Sequence, residues 1–340
     1  MIKAMQMEID QRNEIPRQSV LNTIYFGGGT PSLLTSEQTE LLLDTLRLKY
    51  IIAGDTEITL EVNPEHVSKT RALEWKQLGI NRISLGVQSL DNDTLRKMNR
   101  MHDASQAIDA IETLFAVGFE NVSVDIIFGM TGKDKYLSSL KYLLSLPIKH
   151  FSAYQLTIEP QTYFGYLQKK NKLKNIADDA DLVDMFYLTR ELALKNGFEH
   201  YEISNYARGQ NFRSRHNLSY WQRETYTGIG PSAHSYFNGH RRWNIANNPL
   251  YIRRINEGQQ YFSIEELSNN QVKNEVILTS LRLKDGINLQ FFDEADKQKI
   301  LKNSENYLKD EYLKLEQNFL KLTEKGLIWT DRITQDLFFV

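Results

Sequence analysis

The chain has 340 residues, with 41 Lys and Arg against 43 Asp and Glu, a formal net charge of −2 and no cysteine. This length serves one large domain plus a small one, and the near-neutral balance gives no global field for nucleic acid or an anionic membrane. The lack of cysteine excludes disulfides, thiolate nucleophiles and Cys-ligated metal on these residues.

The opening MIKAMQMEID places Ile2, Met5 and Ile9 on one helical face with no N-cap residue before it, so it reads as a crossover helix met in mid-flow. Strands are expected at 23–29 (TIYFGGG), 57–64 (EITLEVNP), 82–89 (RISLGVQS), 121–129 (NVSVDIIFG) and 150–158 (HFSAYQLTI). Most are continuous apolar or β-branched runs, as in a parallel sheet covered by helices. Helices are expected between them: 37–49 capped by Ser36, 69–78 capped by Ser68, 104–117 capped by Asp103, and 134–146 after Lys133. This alternation predicts right-handed crossovers and a parallel sheet or barrel.

Residues 166–181 carry a basic run and then an acidic one, expected as a solvated linker or lid, and a helix over 179–196 ends at Gly197. Residues 198–262 form an aromatic-rich bridge, in which most Tyr and Trp are expected to be core. From about 265 helices run to about 325, and LIWTDRITQDLFFV is expected to close the chain as a hairpin, giving a small winged-helix-like domain over 263–340. The domains are thus expected at 1–197, 198–262 and 263–340. No apolar run reaches membrane-spanning length and no signal-peptide pattern opens the chain, so a cytoplasmic location is expected.

Polar residues gather at the expected strand ends: Thr30, Glu61, Asn63, Gln88, Asp125 and Gln155. That is where β/α barrels and open α/β sheets build their sites. Gly27, Gly28 and Gly29 bare the backbone after the first strand, either for a tight turn or for a charged or zwitterionic ligand on exposed N–H and C=O groups. A nucleotide P-loop is disfavoured, because no Lys-Ser/Thr follows and the spacing is not G-x-G-x-x-G.

YFGGGTPSLL (25–34), LEVNPE (60–65), INRISLGVQSL (80–90), LRKMNRMH (95–102) and VSVDIIFGM (122–130) resemble, in this order and spacing, the radical S-adenosylmethionine (SAM) family. More narrowly they resemble oxygen-independent coproporphyrinogen III oxidases and HemW-type haem chaperones. YEISNYA (201–207), SRHNLSYW (214–221) and GIGPSAHSY (228–236) are similar to the HemW-type branch. The resemblance implies a partial TIM-like (β/α)6 barrel lacking its first strand. It also implies SAM lying along Gly28, Gly29 and Thr30, its carboxylate on Arg100, and its ammonium or ribose hydroxyls on Glu61, with Gln88 and Asp125 as further polar contacts.

The family carries a [4Fe–4S] cluster on a CxxxCxxC loop after the first strand, and none of those cysteines is present here. The chain is therefore expected to be inactive in radical chemistry, either as a shortened form, the preferred reading, or as a natural cluster-less one. The function implied is a haem chaperone that binds haem and SAM and delivers haem to acceptor proteins. The alternative is the oxidase itself, which decarboxylates two porphyrinogen propionates. His216 is the candidate haem ligand and His234 a second, each weighed against a hydrogen-bonded structural histidine. Met98 and Met101 are expected to pack. Nucleic-acid binding through the winged-helix-like tail is disfavoured, since ENYLKDEYLKLEQNFLKLTEK alternates acid with Lys rather than presenting a basic stripe. Any membrane association is expected only through partners.

Overall fold

The computed structural model of the protein describes residues 1–170 and 176–340; residues 171–175 of the expected linker lie outside the described residues. The chain opens on α1 (Ile2–Gln11), β1 (Thr23–Phe26) and α2 (Ser36–Lys49). There follow β2 (Glu57–Val62), α3 (Lys69–Gln77), β3 (Arg82–Gln88), α4 (Asn92–Lys97), α5 (Ala104–Ala116), β4 (Asn121–Phe128), α6 (Lys133–Ser145) and β5 (His150–Gln155). Next come α7 (Tyr163–Lys169), α8 (Asp179–Lys195), β6 (Glu199–Glu202) and β7 (Asn205–Ala207). Two compact units are built from this order: residues 24–36 with 57–213, and residues 1–23 with 37–56 and 214–340.

The first unit holds a seven-stranded sheet of order β1-β2-β3-β4-β5-β7-β6. β2 to β5 pair in parallel, and the short β7 and β6 add on antiparallel. From β1 to β5 consecutive strands are neighbours, so each of these crossovers advances the same way. With right-handed crossovers this stacks the helices on one face, the winding of a β/α barrel and not of a doubly wound sheet. The fold is a partial TIM-like α/β barrel.

Strand parity sorts the residues into two faces. Ile58, Leu60 and Val62, then Ile83, Leu85 and Val87, then Val122, Val124, Ile126 and Phe128 alternate onto one face, all buried. α5 packs on this side of the sheet with Ala107, Ala110, Ile111 and Leu114. The other face is polar. Across it, register pairs Thr59 with Arg82, Glu61 with Ser84, Ser84 with Ser123, Asp125 with Ser152 and Ser152 with Asn205.

Two helix starts match their sequence signals, while Ser36, expected as the cap of the first crossover helix after β1, lies inside α2 and gives its hydroxyl to Glu74. Ser68 accepts from Arg71 N at the start of α3, and Asp103 forms a capping box with Gln106 on α5. Gly197, at φ +76°, follows the end of α8 in the left-handed conformation that terminates helices.

The second unit adds α9 (Arg215–Trp221), β8 (His234–Phe237), β9 (His240–Asn244), α10 (Asn248–Asn256) and β10 (Phe262–Glu266), with β9 central in a three-stranded sheet. The chain ends with α11 (Asn269–Ser280), β11 (Ile287–Asn288), α12 (Glu294–Lys309), β12 (Leu313–Glu316), β13 (Phe319–Leu322) and α13 (Thr330–Asp336). These C-terminal elements enclose their own core of Ile277, Leu281, Ile287, Ile300, Leu313, Leu320, Ile333 and Leu337.

The hairpin is not where the sequence placed it. β12 and β13 form it at 313–322 around Gln317, which has φ +55°, whereas the last segment is helical. LKLEQNFLKL satisfies both an alternating and a helical spacing, and the long-range pairing of β13 with β11 selects the strand. Met101, expected to pack, is 82% exposed. Among the expected aromatic core residues of the bridge, Tyr201 and Tyr206 are buried but Tyr220 and Trp243 are exposed.

α1 is anchored by charge as well as by its apolar face. Glu8 is fully buried and accepts from Arg12 Nη1 at 2.9 Å, Asn244 Nδ2 at 2.7 Å, Gly230 N at 2.8 Å and Tyr251 OH at 2.5 Å. Buried Lys49 donates to the carbonyls of Ile9, Asp10 and Arg12, capping the helix C-terminus with a cation.

Leu85→Ala, on the fully buried apolar face of β3, is expected to cost about 2–5 kcal/mol in urea unfolding of the sheet unit, against ~0.5 kcal/mol or less for exposed Leu73→Ala. Equal costs for the two would contradict the two-faced sheet.

Candidate functional site at the strand ends

β1 runs directly into the glycines, and Glu61 near the end of β2 fixes them. Tyr25 OH donates to Glu61 Oε1 at 2.7 Å, and Gly28 N donates to Glu61 Oε2 at 3.1 Å. Burial and the adjacent Glu61 push the Tyr25 phenol far above its ordinary range, so it stays a donor. Each glycine has its own reason. A Cβ on Gly27 would lie 2.3 Å from the Tyr25 ring, while Gly28 and Gly29 have φ of +72° and +73° with open space where a Cβ would go. The turn is thus tight, as one reading of the sequence expected, and its backbone is also open on one side.

The segment beyond is pinned to the next βα unit. Ser32 Oγ meets His66 Nδ1 at 2.8 Å, Arg71 Nη2 donates to the carbonyls of Ser32 and Leu34, and Ser36 Oγ donates to Glu74 Oε2 at 2.6 Å. Thr30 sits between the glycines and this clamp, partly buried and without a side-chain cap bond.

Gln88 ends β3 with φ +64°, at an irregularity in its pairing with β4. A left-handed conformation at a non-glycine residue stores strain, and such strain gathers at functional sites. A Cβ at Gly86 would come within 3.0 Å of Gln88 Nε2 and 3.5 Å of Asn63 Oδ1, so these two polar groups converge over a bare backbone position.

Asp125 lies in mid-strand on the polar face, not at the strand end as the sequence reading had it. Its Oδ2 accepts from Ser84 Oγ at 3.0 Å and Ser152 also bonds it, while Oδ1 is buried with no hydrogen-bond partner. Burial, reinforced by Glu61 and opposed by these hydroxyls and Arg82, holds its carboxyl above its ordinary value.

Arg100 follows α4, half-buried, and among the described residues its guanidinium has neither an ion pair nor a side-chain hydrogen bond. Burial lowers its pKa and nearby Glu65 opposes this. An unpaired fork, a glycine loop with open space where side chains would stand and an orphaned carboxylate oxygen together suit a ligand bearing both charges and hydroxyls.

Sequence reasoning missed His102, buried between Glu65 and the Val87 carbonyl, and His66 beneath Ser32. Both lie within or next to the quoted motifs, but nothing in their spacing gives their partners. His216 belongs to the other unit, on α9, with Nδ1 3.3 Å from Thr23 Oγ1 and its ring edge-on to Tyr220 at 4.6 Å. His234 is exposed and stacks across the hairpin on Trp243. No group of His, Cys, Asp or Glu suited to a metal ion occurs among the described residues. No described helix is long and apolar enough to cross a membrane.

A family model described as the Radical SAM superfamily matches residues 6–135, and one for the HemN C-terminal domain matches residues 267–329. The solved Escherichia coli coproporphyrinogen III oxidase HemN covers 99% of this chain and 82% of its own, with a TM-score of 0.84 at 19% identity, a likeness of fold. Sheet, strand-end loops and C-terminal domain together are those of a radical SAM-type protein. The heme chaperone HemW of Bacillus subtilis is 33% identical over 96% of this chain and 84% of its own length. A radical S-adenosyl methionine domain-containing protein of Danio rerio mitochondria is 30% identical over 98% of this chain and 79% of its own. The chain belongs to the HemW family of radical SAM proteins.

Glu61→Gln leaves one carbonyl oxygen for two donors, so amide exchange at Gly28 is expected to accelerate roughly tenfold or more; unchanged exchange would show that Glu61 does not hold the loop. The protonated Asp125 carboxyl stabilises the fold below the unfolded value of about 3.9, and this contribution is lost as pH rises toward the higher folded value. Asp125→Asn, neutral throughout, should therefore raise the Tm at pH 7 and lose that advantage below about pH 4. A lower Tm at pH 7 would contradict this.

Proposed function

We propose that this protein is a haem chaperone, binding haem as cargo and passing it to haem-accepting proteins, with SAM bound at the strand-end site. The observation that carries the reading is the 33% identity to the B. subtilis HemW across 96% of the chain. His216 is the proposed haem ligand. Imidazole is a usual axial ligand, Thr23 orients the ring, and Tyr220 with Tyr226, 4.5 Å apart and edge-on, offers an aromatic wall beside it.

The strand-end residues fit SAM. Gly28, Gly29 and Thr30 present backbone to its amino-acid end, Arg100 receives its carboxylate, and Glu61, Gln88 and Asp125 meet its ammonium and hydroxyls. The unpaired Arg100 guanidinium and the orphaned Asp125 Oδ1 support this assignment. When bound to a reduced cluster in radical SAM proteins, SAM supplies a carbon radical. The residues of this chain do not fit that cluster, which needs thiolates, because they include no cysteine. The role of the strand-end residues here is to bind and orient.

Haem titration followed by the Soret band tests the proposal, with apomyoglobin as acceptor. The protein should bind haem and release it to apomyoglobin, and His216→Ala should weaken binding roughly tenfold or more, as for loss of an axial ligand. No Soret change in the wild type would overturn the chaperone reading. Equal binding by the variant would move the ligand elsewhere.

A further inference from the structure

His102 sits at the junction of three parts of the strand-end site and is only 3% exposed. Nε2 lies 3.1 Å from the Val87 carbonyl and Nδ1 lies 3.2 Å from Glu65 Oε2. A carbonyl only accepts, so Nε2 carries a hydrogen. A carboxylate also only accepts, so the second contact needs a proton of its own, on the ring or on the carboxyl. In either form Glu65 is engaged by the ring.

Glu65 is also close enough to Arg100 to act on it electrostatically, yet the two form no ion pair. Arg and carboxylate readily form strong bidentate pairs. Glu65 instead has its Oε2 on His102 Nδ1. The neighbouring Asp103 caps α5, its Oδ1 accepting from Gln106 N.

We propose that His102 is a positioning residue: it holds the Glu65 carboxylate away from Arg100 and so keeps the Arg100 guanidinium available to the carboxylate of the ligand. Through Val87 the same ring also fixes the strand end that carries the left-handed Gln88. The inference rests on the SAM assignment only for the identity of that ligand.

The test combines SAM calorimetry with a ligand-free readout. His102→Gln keeps an N–H for the Val87 carbonyl but leaves Glu65 uncompensated. It should weaken SAM binding roughly tenfold, as for loss of one charge-assisted contact. The double variant His102→Gln/Glu65→Gln should bind nearly as the wild type does, because a neutral amide in place of the Glu65 carboxylate cannot compete for Arg100. A merely structural histidine would give no such rescue. Without ligand, the Arg100 Nε–H resonance should exchange rapidly in the wild type, become protected in His102→Gln and be released again in the double variant. Failure of rescue while the wild type binds SAM would overturn the inference. So would an Arg100 resonance already protected in the wild type, whatever SAM does. Absence of SAM binding by the wild type, with the resonances behaving as expected, would overturn the ligand assignment alone.

Discussion

Strand parity is the constraint from which the sheet unit follows. Each central strand gives one face of branched apolar side chains, and burying these against helices is the main favourable term in folding. The same parity then forces every intervening residue onto the opposite face, whatever its polarity. Arg82, Ser84, Ser123, Asp125 and Ser152 are drawn inside by their neighbours in the chain. Once there they must find partners, since an unpaired buried polar group costs about 1–3 kcal/mol. Ser84 and Ser152 serve Asp125 only in part, leaving Oδ1 without a partner, and burial raises its pKa.

The loops at the strand ends are held before any ligand arrives. Glu61 ties Tyr25 to Gly28, and Ser32, His66 and Arg71 tie the following segment to the next crossover. Fixing the backbone in advance means a ligand does not have to supply the ordering entropy itself. The conformations fixed are ones the chain does not favour unaided: two left-handed glycines and a left-handed Gln88. Strain of this kind persists where surrounding bonds over-determine it, and here those bonds come from side chains on β1, β2 and the segment after α4.

The other unit solves a different problem with the same rule. Glu8 on α1 is fully buried, and a lone carboxylate there would be prohibitively costly. Four donors surround it, and Arg12, which supplies one of them, extends the network to Ser235 and Glu14. With four donors on Glu8 the network favours a single packing arrangement, because a shifted helix would leave charge unpaired, although Asn244 Oδ1 within it is buried without a hydrogen-bond partner. The segment GIGPSAHSY, one of the family signatures, supplies Gly228, Gly230 and Ser235 to it.

The sequence by itself determined the alternation of strands and helices, the caps at Ser68 and Asp103, the helix stop at Gly197, the family, and the missing thiolates. Each is written in local spacing or in residue chemistry. Only the tertiary structure decided the rest. LKLEQNFLKL fits helix and strand equally, and pairing with β11 chose the strand. Asp125 lies in mid-strand because the sheet continues beyond it. Glu8 reads as an ordinary surface acid, since its four donors include residues more than two hundred positions away. His102 likewise carries no local sign that Glu65 and Val87 meet it from both sides. Local periodicity reports which face a residue takes; what waits on that face is set by contacts distant in the chain, and these the sequence pattern does not encode.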